Sequence, residues 1–345
     1  MSKVARLSGN QPVLLWPWPG FNRVQFEAPC IELRTQGTIT GCAFAVSNNI
    51  ENTKDFRLAV HMTVSEEQLL VWAQPPSKTQ EERCKNAEDM IRKAIQASDA
   101  LKSRDITVFL QGSYANNTNT ARKSDVDVGV VCHESFFSSY PEGKSRDDFG
   151  LADATYTFAD FKKDVGEALT SYFRDGTVTR GNKAFDIKAT SYHVEADVAP
   201  FLEHRRYHTN GSYIEGVELR PDRGGRVINW PEQHKANGVS KNKVTGRRFK
   251  RMVRIVKSLN DLTEKPAPGF LIECLMWNVP DSHFMHATYE QTLRSNLNYL
   301  YQYLALPAAD EWGEVSELKY LFKANPWTKE DARTVLARIW DKAEL

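Results

Sequence analysis

Two aspartates one residue apart, at the start of an apolar strand, are the side chains in this chain best suited to chemistry. The stretch Asp125-Val126-Asp127-Val128-Gly129-Val130-Val131 alternates. On a strand this puts Asp125 and Asp127 on one face, with Val126 and Val128 on the other. Two neighbouring carboxylates repel each other, and a hydrophobic strand gains nothing from them. A divalent cation removes the conflict, because hard cations such as Mg²⁺ take carboxylate oxygens together with substrate phosphates. Upstream, an apolar run that begins at Ile106 closes with Phe109-Leu110-Gln111 and is broken by Gly112-Ser113. Glycine can take positive φ there and, lacking a Cβ, lets the backbone approach a ligand closely. The loop over 114–123 is rich in Asn and Thr, as turns are. Strand, Gly-Ser turn, polar loop and acid-bearing strand together have the shape of a metal-dependent phosphoryl-transfer site. The plainer alternative is a polar surface loop beside an acidic strand end.

A third carboxylate from a neighbouring strand would complete such a site. Residues 192–198, Tyr-His-Val-Glu-Ala-Asp-Val, place Val194, Ala196 and Val198 on one face and Glu195 and Asp197 on the other. Pro200 then ends the run, since proline lacks the ladder N–H. Asp186, in Ala184-Phe185-Asp186-Ile187, lies on what reads as the preceding strand of a hairpin. From the residues alone, Asp197, Asp186 and Glu195 all stay eligible.

The wording QGSYANNTN followed by SDVDVGVV resembles the DNA polymerase β-like nucleotidyltransferase superfamily. Within it, the chain resembles the bacterial cyclic-oligonucleotide synthases related to cyclic GMP-AMP synthase, the CD-NTases of anti-phage signalling. The resemblance runs from about Met62 to the C-terminus, with its diagnostic residues in 111–128 and 192–200. It implies an α+β fold: a mixed, largely antiparallel sheet with helices, packed against a C-terminal helical lobe, with the active site in the cleft. EADVAPF matches the place of the family's third aspartate, so the resemblance selects Asp197 over Asp186 and Glu195. It thereby implies Asp125, Asp127 and Asp197 as catalytic and metal-holding residues, with two Mg²⁺ ions (Mn²⁺ as a substitute). Gln111, Gly112, Ser113 and Lys257 would bind the nucleotide. Near the start of the helix after 266–269 the family carries a serine on the triphosphate, but here Gly269 stands in that place.

The implied reaction joins nucleoside triphosphates, ATP and GTP foremost, into a cyclic dinucleotide or short cyclic oligonucleotide and releases pyrophosphate. A purine-containing product would serve as a second messenger for a separate effector protein. Two other readings compete. One is a linear transfer to a tRNA end, an oligoadenylate, a protein or a small molecule. The other is a catalytically inactive nucleotide-binding scaffold, which the intact carboxylates and Gly-Ser turn oppose. No G-x-x-x-x-G-K-[ST] run is present, so phosphate binding by a P-loop is excluded.

The scaffold around these residues is legible in outline. A chain of 345 residues has room for one large or two ordinary domains. Lys plus Arg number 45 against 44 Asp plus Glu, so a strongly basic nucleic-acid binder is disfavoured. Five scattered cysteines, with no CxxC or Cys/His cluster, indicate neither a disulfide framework nor a zinc site, and they fit a reducing cytoplasm. No apolar run is long enough to span a membrane, and no signal-peptide pattern opens the chain.

The text changes character at Met62. Residues 1–61 read as an N-terminal extension, with Met62 as the natural start, 62–240 as the catalytic domain and 241–345 as the helical lobe. Thr79-Gln80-Glu81-Glu82 has capping-box form ahead of an amphipathic helix reaching about Leu101. A polar loop is expected over 133–153, a helix over 158–173, and short antiparallel strands over 177–179, 184–188 and 192–198. Further strands are expected over 213–219 and 226–229. Over 246–260, Phe249, Met252, Val253, Val256 and Leu259 form the buried stripe of a helix. Its six cations, Arg247, Arg248, Lys250, Arg251, Arg254 and Lys257, read mostly as a solvated face. Phe270, Leu293 and Val335 mark three more helices, the last capped by Thr328.

Overall fold

The computed structural model describes residues 64–120 and 125–343. The expected extension over 1–61 lies outside the described residues. The chain first forms α1 (Glu66–Trp72) and the long α2 (Lys78–Ala97), then β1 (Ile106–Gln111), the single turn α3 (Gly112–Ala115) and β2 (Val126–Ser139). After α4 (Phe158–Tyr172) come β3 (Val178–Arg180), β4 (Phe185–Ile187), β5 (Ala196–Tyr207), β6 (Tyr213–Leu219) and β7 (Val227–Asn229). The remainder is helical: α5 (Pro231–Val244), α6 (Arg248–Asn260), α7 (Gly269–Trp277), α8 (Tyr289–Tyr303) and α9 (Lys329–Ala343). The expected division at 240/241 falls inside α5.

The strands form one seven-stranded sheet in the order β1-β2-β5-β4-β3, with β6 pairing β5 and β7 pairing β6. Only β2 and β5 run parallel, and the other pairs are antiparallel. This is the mixed, largely antiparallel sheet expected. Val126, Val128, Val130 and Cys132 of β2 point into a core with Ile91 and Ala94 of α2 and Phe161, Val165 and Leu169 of α4. A second core gathers Met252, Val256 and Leu259 of α6, Leu271 and Leu275 of α7, Leu293 and Leu297 of α8, and Leu336 and Ile339 of α9. Leu69 of α1 belongs to this helical core although α1 precedes the sheet in sequence. Burying a side chain of this size stabilises by about 1.5–3 kcal/mol.

Several expectations need correction. The N-cap of α2 is Ser77, whose hydroxyl accepts from Gln80 N at 3.3 Å, and not Thr79. The helix ends at Ala97, short of Leu101. β2 does not stop at Val131. After an irregularity between Cys132 and Phe136 it pairs with β5 as far as Ser139, so the first part of the expected loop is strand. Its polar composition hides this, because the long partner strand supplies the ladder. Residues 192–195 are not strand: Arg83 and Asn86 of α2 take the carbonyls of Thr190 (2.7 Å) and Tyr192 (2.9 Å), holding that segment off the sheet. β5 therefore starts at Ala196, and it runs through Pro200 rather than ending there. The proline is tolerated because β4 pairs only Ala196 to Val198 and β6 begins at Leu202, leaving residues 199–201 unpaired on that flank. On α6, Lys250, Arg254 and Lys257 are buried rather than solvated.

Candidate active site

The sheet register aligns the candidate residues in one row. Gln111 of β1 is opposite Asp127 of β2, Asp127 is opposite Asp197 of β5, and Asp197 is opposite Asp186 of β4. Directly opposed residues project from the same face of a sheet, so these four polar side chains line one face near the starts of β2 and β5. Asp125, exposed, immediately precedes β2, and Val126 N donates to Glu195 O at 3.0 Å where the β2–β5 pairing begins. Both rivals for the third carboxylate thus stand near Asp197. Asp186 faces it across the ladder and hydrogen-bonds to it, and Glu195 lies two residues before it.

The row is electrostatically unbalanced. Asp127 is pushed up to about 6 by burial, then by the charges of Asp197 and Asp125, against a smaller opposing effect of Lys257. Asp197 is likewise pushed up to about 6, by burial and by Asp186 and Asp125. Carboxylates crowded in this way, with no cation among them, form a donor set that a hard divalent cation fits.

Gly112 fixes the loop above this row. Its φ is +66°, in the left-handed region, and a Cβ there would overlap the Asp127 carboxylate. Both properties of glycine are therefore used at this position. Ser113 O accepts from Thr118 N at 2.9 Å, folding the following residues back onto α3. Arg254 of α6 then holds the loop, donating from Nη1 to Asn117 O at 2.6 Å and from Nε to Ala73 O at 2.9 Å.

Lys257 of α6 is buried, and its charge acts on Asp127. Its ammonium pairs with Glu273 of α7 and lies 3.4 Å from Thr118 Oγ1. Gly269 is the first residue of α7, and a Cβ there would meet Lys257 Cε at 3.2 Å and Nζ at 3.4 Å. The space that a serine would occupy is taken by the end of the lysine. Glu273 also accepts from Thr118 Oγ1 and from His234 Nε2 of α5, the latter at 3.1 Å. Sequence reasoning missed Glu273, Thr118 and Arg254. The available signal was Glu273 itself, a lone acid in the apolar run Gly-Phe-Leu-Ile-Glu-Cys-Leu-Met-Trp.

A second group with metal-ligand character, His133, Glu203 and Glu215, has its ligand atoms within 4.8 Å of one another. It lies further along β2 and β5, past Val131 and Phe201. Glu203 is already paired with Arg205 Nε at 2.5 Å, and His133 Nε2 lies 3.1 Å from Thr107 Oγ1. Among the described residues, Cys84, Cys132 and Cys274 are buried and form no disulfide, and no helix is long and apolar enough to cross a membrane.

Residues 91–213 match the nucleotidyltransferase domain family, and residues 236–344 match the cGAS/DncV-like nucleotidyltransferase C-terminal helical domain. A cyclic dipyrimidine nucleotide synthase CdnE of Legionella pneumophila is 41% identical over 281 residues, covering 78% of this chain and 94% of that protein. Its namesake from Cecembia lonarensis is 39% identical over 291 residues, covering 81% and 99%. The solved structure of Rhodothermus marinus CdnE c-UMP-AMP synthase with Apcpp and Upnpp superposes with a TM-score of 0.71 at 32% identity, covering 81% of this chain and 96% of that one.

Proposed function

The chain belongs to the cGAS/DncV-like nucleotidyltransferases, and from that premise we propose that it joins two nucleoside triphosphates into a cyclic dinucleotide, releasing two pyrophosphates. The observation that carries the site assignment is the Gln111–Asp127–Asp197 row lying directly beneath Gly112. Asp125, Asp127 and Asp197 would hold the divalent cations, which we take to be magnesium, with manganese able to replace it. When bound, these ions neutralise triphosphate charge and lower the pKa of the attacking hydroxyl.

The protein's own residues do the positioning. Gly112 brings the loop backbone against Asp127, so phosphates held by Gln111, Gly112 and Ser113 lie over the carboxylates. Lys257 meets the same triphosphate from the lobe side. The acceptor's ribose oxygen then bonds to the donor's α-phosphorus, and the bond to pyrophosphate breaks. A second transfer with the linear intermediate reversed closes the ring.

Three further points belong to this reading. The two relatives of highest identity reported above are named for dipyrimidine products, which moves the expected substrates from ATP and GTP towards UTP and CTP. The product would act on a separate effector protein in anti-phage signalling. Among the acidic neighbours, Asp197 is preferred to Asp186 because it adjoins Asp127 directly in the ladder.

The test is to incubate the protein with each labelled NTP and with mixtures in Mg²⁺, treat with phosphatase and weigh the products. A phosphatase-resistant dinucleotide with two internal phosphodiesters and at least one pyrimidine is expected. A ladder of linear oligomers, or label attached to a macromolecule, would overturn the cyclic assignment.

A further inference from the structure

Lys257, the cation assigned to the triphosphate, is already paired with an anion of the protein itself. Its ammonium is paired with the Glu273 carboxylate, and both side chains are more than nine-tenths buried. Burial pushes Glu273 up, but the charge of Lys257 and the His234 hydrogen bond outweigh it and hold the carboxyl well below the usual range. The pair adjoins the reacting centre: the charges of both Lys257 and Glu273 act on Asp127, in opposite senses. Gly269 places no side chain beside the Cε and Nζ of Lys257, so the ammonium end packs against backbone there.

The rest of the same helix face underlines the role of Glu273. Lys250, Arg254 and Lys257 are 9%, 4% and 6% exposed. Arg254 directs its donors to the carbonyls of Ala73 and Asn117, and Lys250 makes no side-chain hydrogen bond or ion pair among the described residues. Burial pushes Lys250 down, with Glu273 acting to raise it. One buried carboxylate therefore acts on two buried lysines, Lys250 and Lys257.

We propose that Glu273 is the resident counter-anion of the phosphate-binding lysine. Lys257 exchanges it for phosphate oxygens when a nucleotide enters and returns to it when pyrophosphate leaves. This rests on the assignment of the cleft to nucleotide phosphates. The consequence is kinetic as well as structural. A buried ammonium with no anion of its own would grip any polyphosphate, and each cyclic product requires pyrophosphate to leave twice. An internal carboxylate weakens that grip at every exit.

Glu273→Gln keeps the shape and an acceptor but removes the charge. Its affinity for magnesium pyrophosphate, measured by calorimetry, should rise about ten-fold, equivalent to about 1.4 kcal/mol. The melting temperature of the ligand-free variant should fall, its stabilisation by pyrophosphate should exceed that of the wild type, and kcat and KM should fall together. A purely structural role would lower the melting temperature and leave pyrophosphate affinity unchanged. A role in aiming Lys257 alone would weaken that affinity. Either outcome overturns the proposal.

If Glu273→Gln does not fold, the wild-type protein crystallised with magnesium pyrophosphate decides. The Lys257 ammonium should sit on a phosphate oxygen, out of salt-bridge range of Glu273, and an unbroken pair beside bound pyrophosphate refutes the exchange. Wild-type protein that neither binds pyrophosphate in the cleft nor consumes NTPs would instead overturn the functional reading beneath it.

Discussion

At the scale of single residues, the decisive feature is negative charge gathered where folding alone would avoid it. Asp127 and Asp197 are both pushed up to about 6, chiefly by burial and then by neighbouring carboxylates. An unfolded aspartate titrates near 3.9. The folded protein therefore holds these protons more tightly than the unfolded chain, so stability falls as pH rises from about 4 to 6 and the cost is complete above 6. Two opposite effects of one substitution follow. Without divalent metal at pH 7.5, Asp127→Asn should melt a few degrees higher than the wild type, because it relieves repulsion. Its NTP consumption should fall by about 10³-fold or more, the equivalent of several kcal/mol of lost charge stabilisation. Magnesium should raise the melting temperature of the wild type and leave the variant nearly unmoved. A variant that is both active and metal-stabilised would remove Asp127 from the metal site.

At the scale of elements, local chemistry was legible and distant pairing was not. The Gly112-Ser113 break and the Thr328 cap each involve residues a few positions apart, and the structure forms both, while the alternating strand starts at Val126 and leaves Asp125 just ahead of it. The second half of β2 and the passage of β5 through Pro200 depend on which strand lies alongside, and no local pattern encodes that. Glu273 and Lys257 are sixteen positions apart on different helices, so their pairing needs the α6–α7 packing to be known. Gly112 tests the local part. Alanine there must take φ near +66° and displace the Asp127 carboxylate, so Gly112→Ala should reduce turnover by roughly 100-fold, an order-of-magnitude guess from the cost of strain.

The β5–β6 pair tests the distant part. Buried Glu218 takes His204 Nδ1 at 2.8 Å, Arg226 Nη2 at 2.7 Å and Arg220 Nη2 at 2.8 Å. Burial pushes Glu218 up, but these partners hold it below the usual carboxylate range. The stability it contributes is therefore full above the unfolded value of about 4.3 and is lost as pH falls through the lower folded value. Glu218→Gln should destabilise by about 1–2 kcal/mol at pH 7, since Arg220 and Arg226 are partly exposed and water screens much of their loss, and by much less in strong acid. Denaturant melts at the two pH values check this.

At the scale of the whole molecule, the candidate site draws its side chains from two separate cores. The sheet core fixes the carboxylate row, and the helical core fixes Lys257. One side chain joining them is Arg254, buried on α6, which reaches Ala73 after α1 in one direction and Asn117 beyond the Gly112 turn in the other. Asn117 has φ +54°, in the left-handed region that asparagine adopts more readily than most residues. A guanidinium suits the task because its donors form a rigid fork that serves two carbonyl groups at once, whereas an ammonium is a single point on a flexible stem. Arg254→Lys keeps the charge and loses the fork. We expect KM for NTP to rise roughly ten-fold, an order-of-magnitude estimate for one loosened positioning contact, with kcat changed less, because the carboxylate row on the sheet is untouched. Hydrogen exchange should speed up in residues 112–118 while the amides of β2 and β5 stay protected. Equal loss of protection in the loop and in the strands would mean that Arg254 supports the fold as a whole rather than the position of the loop.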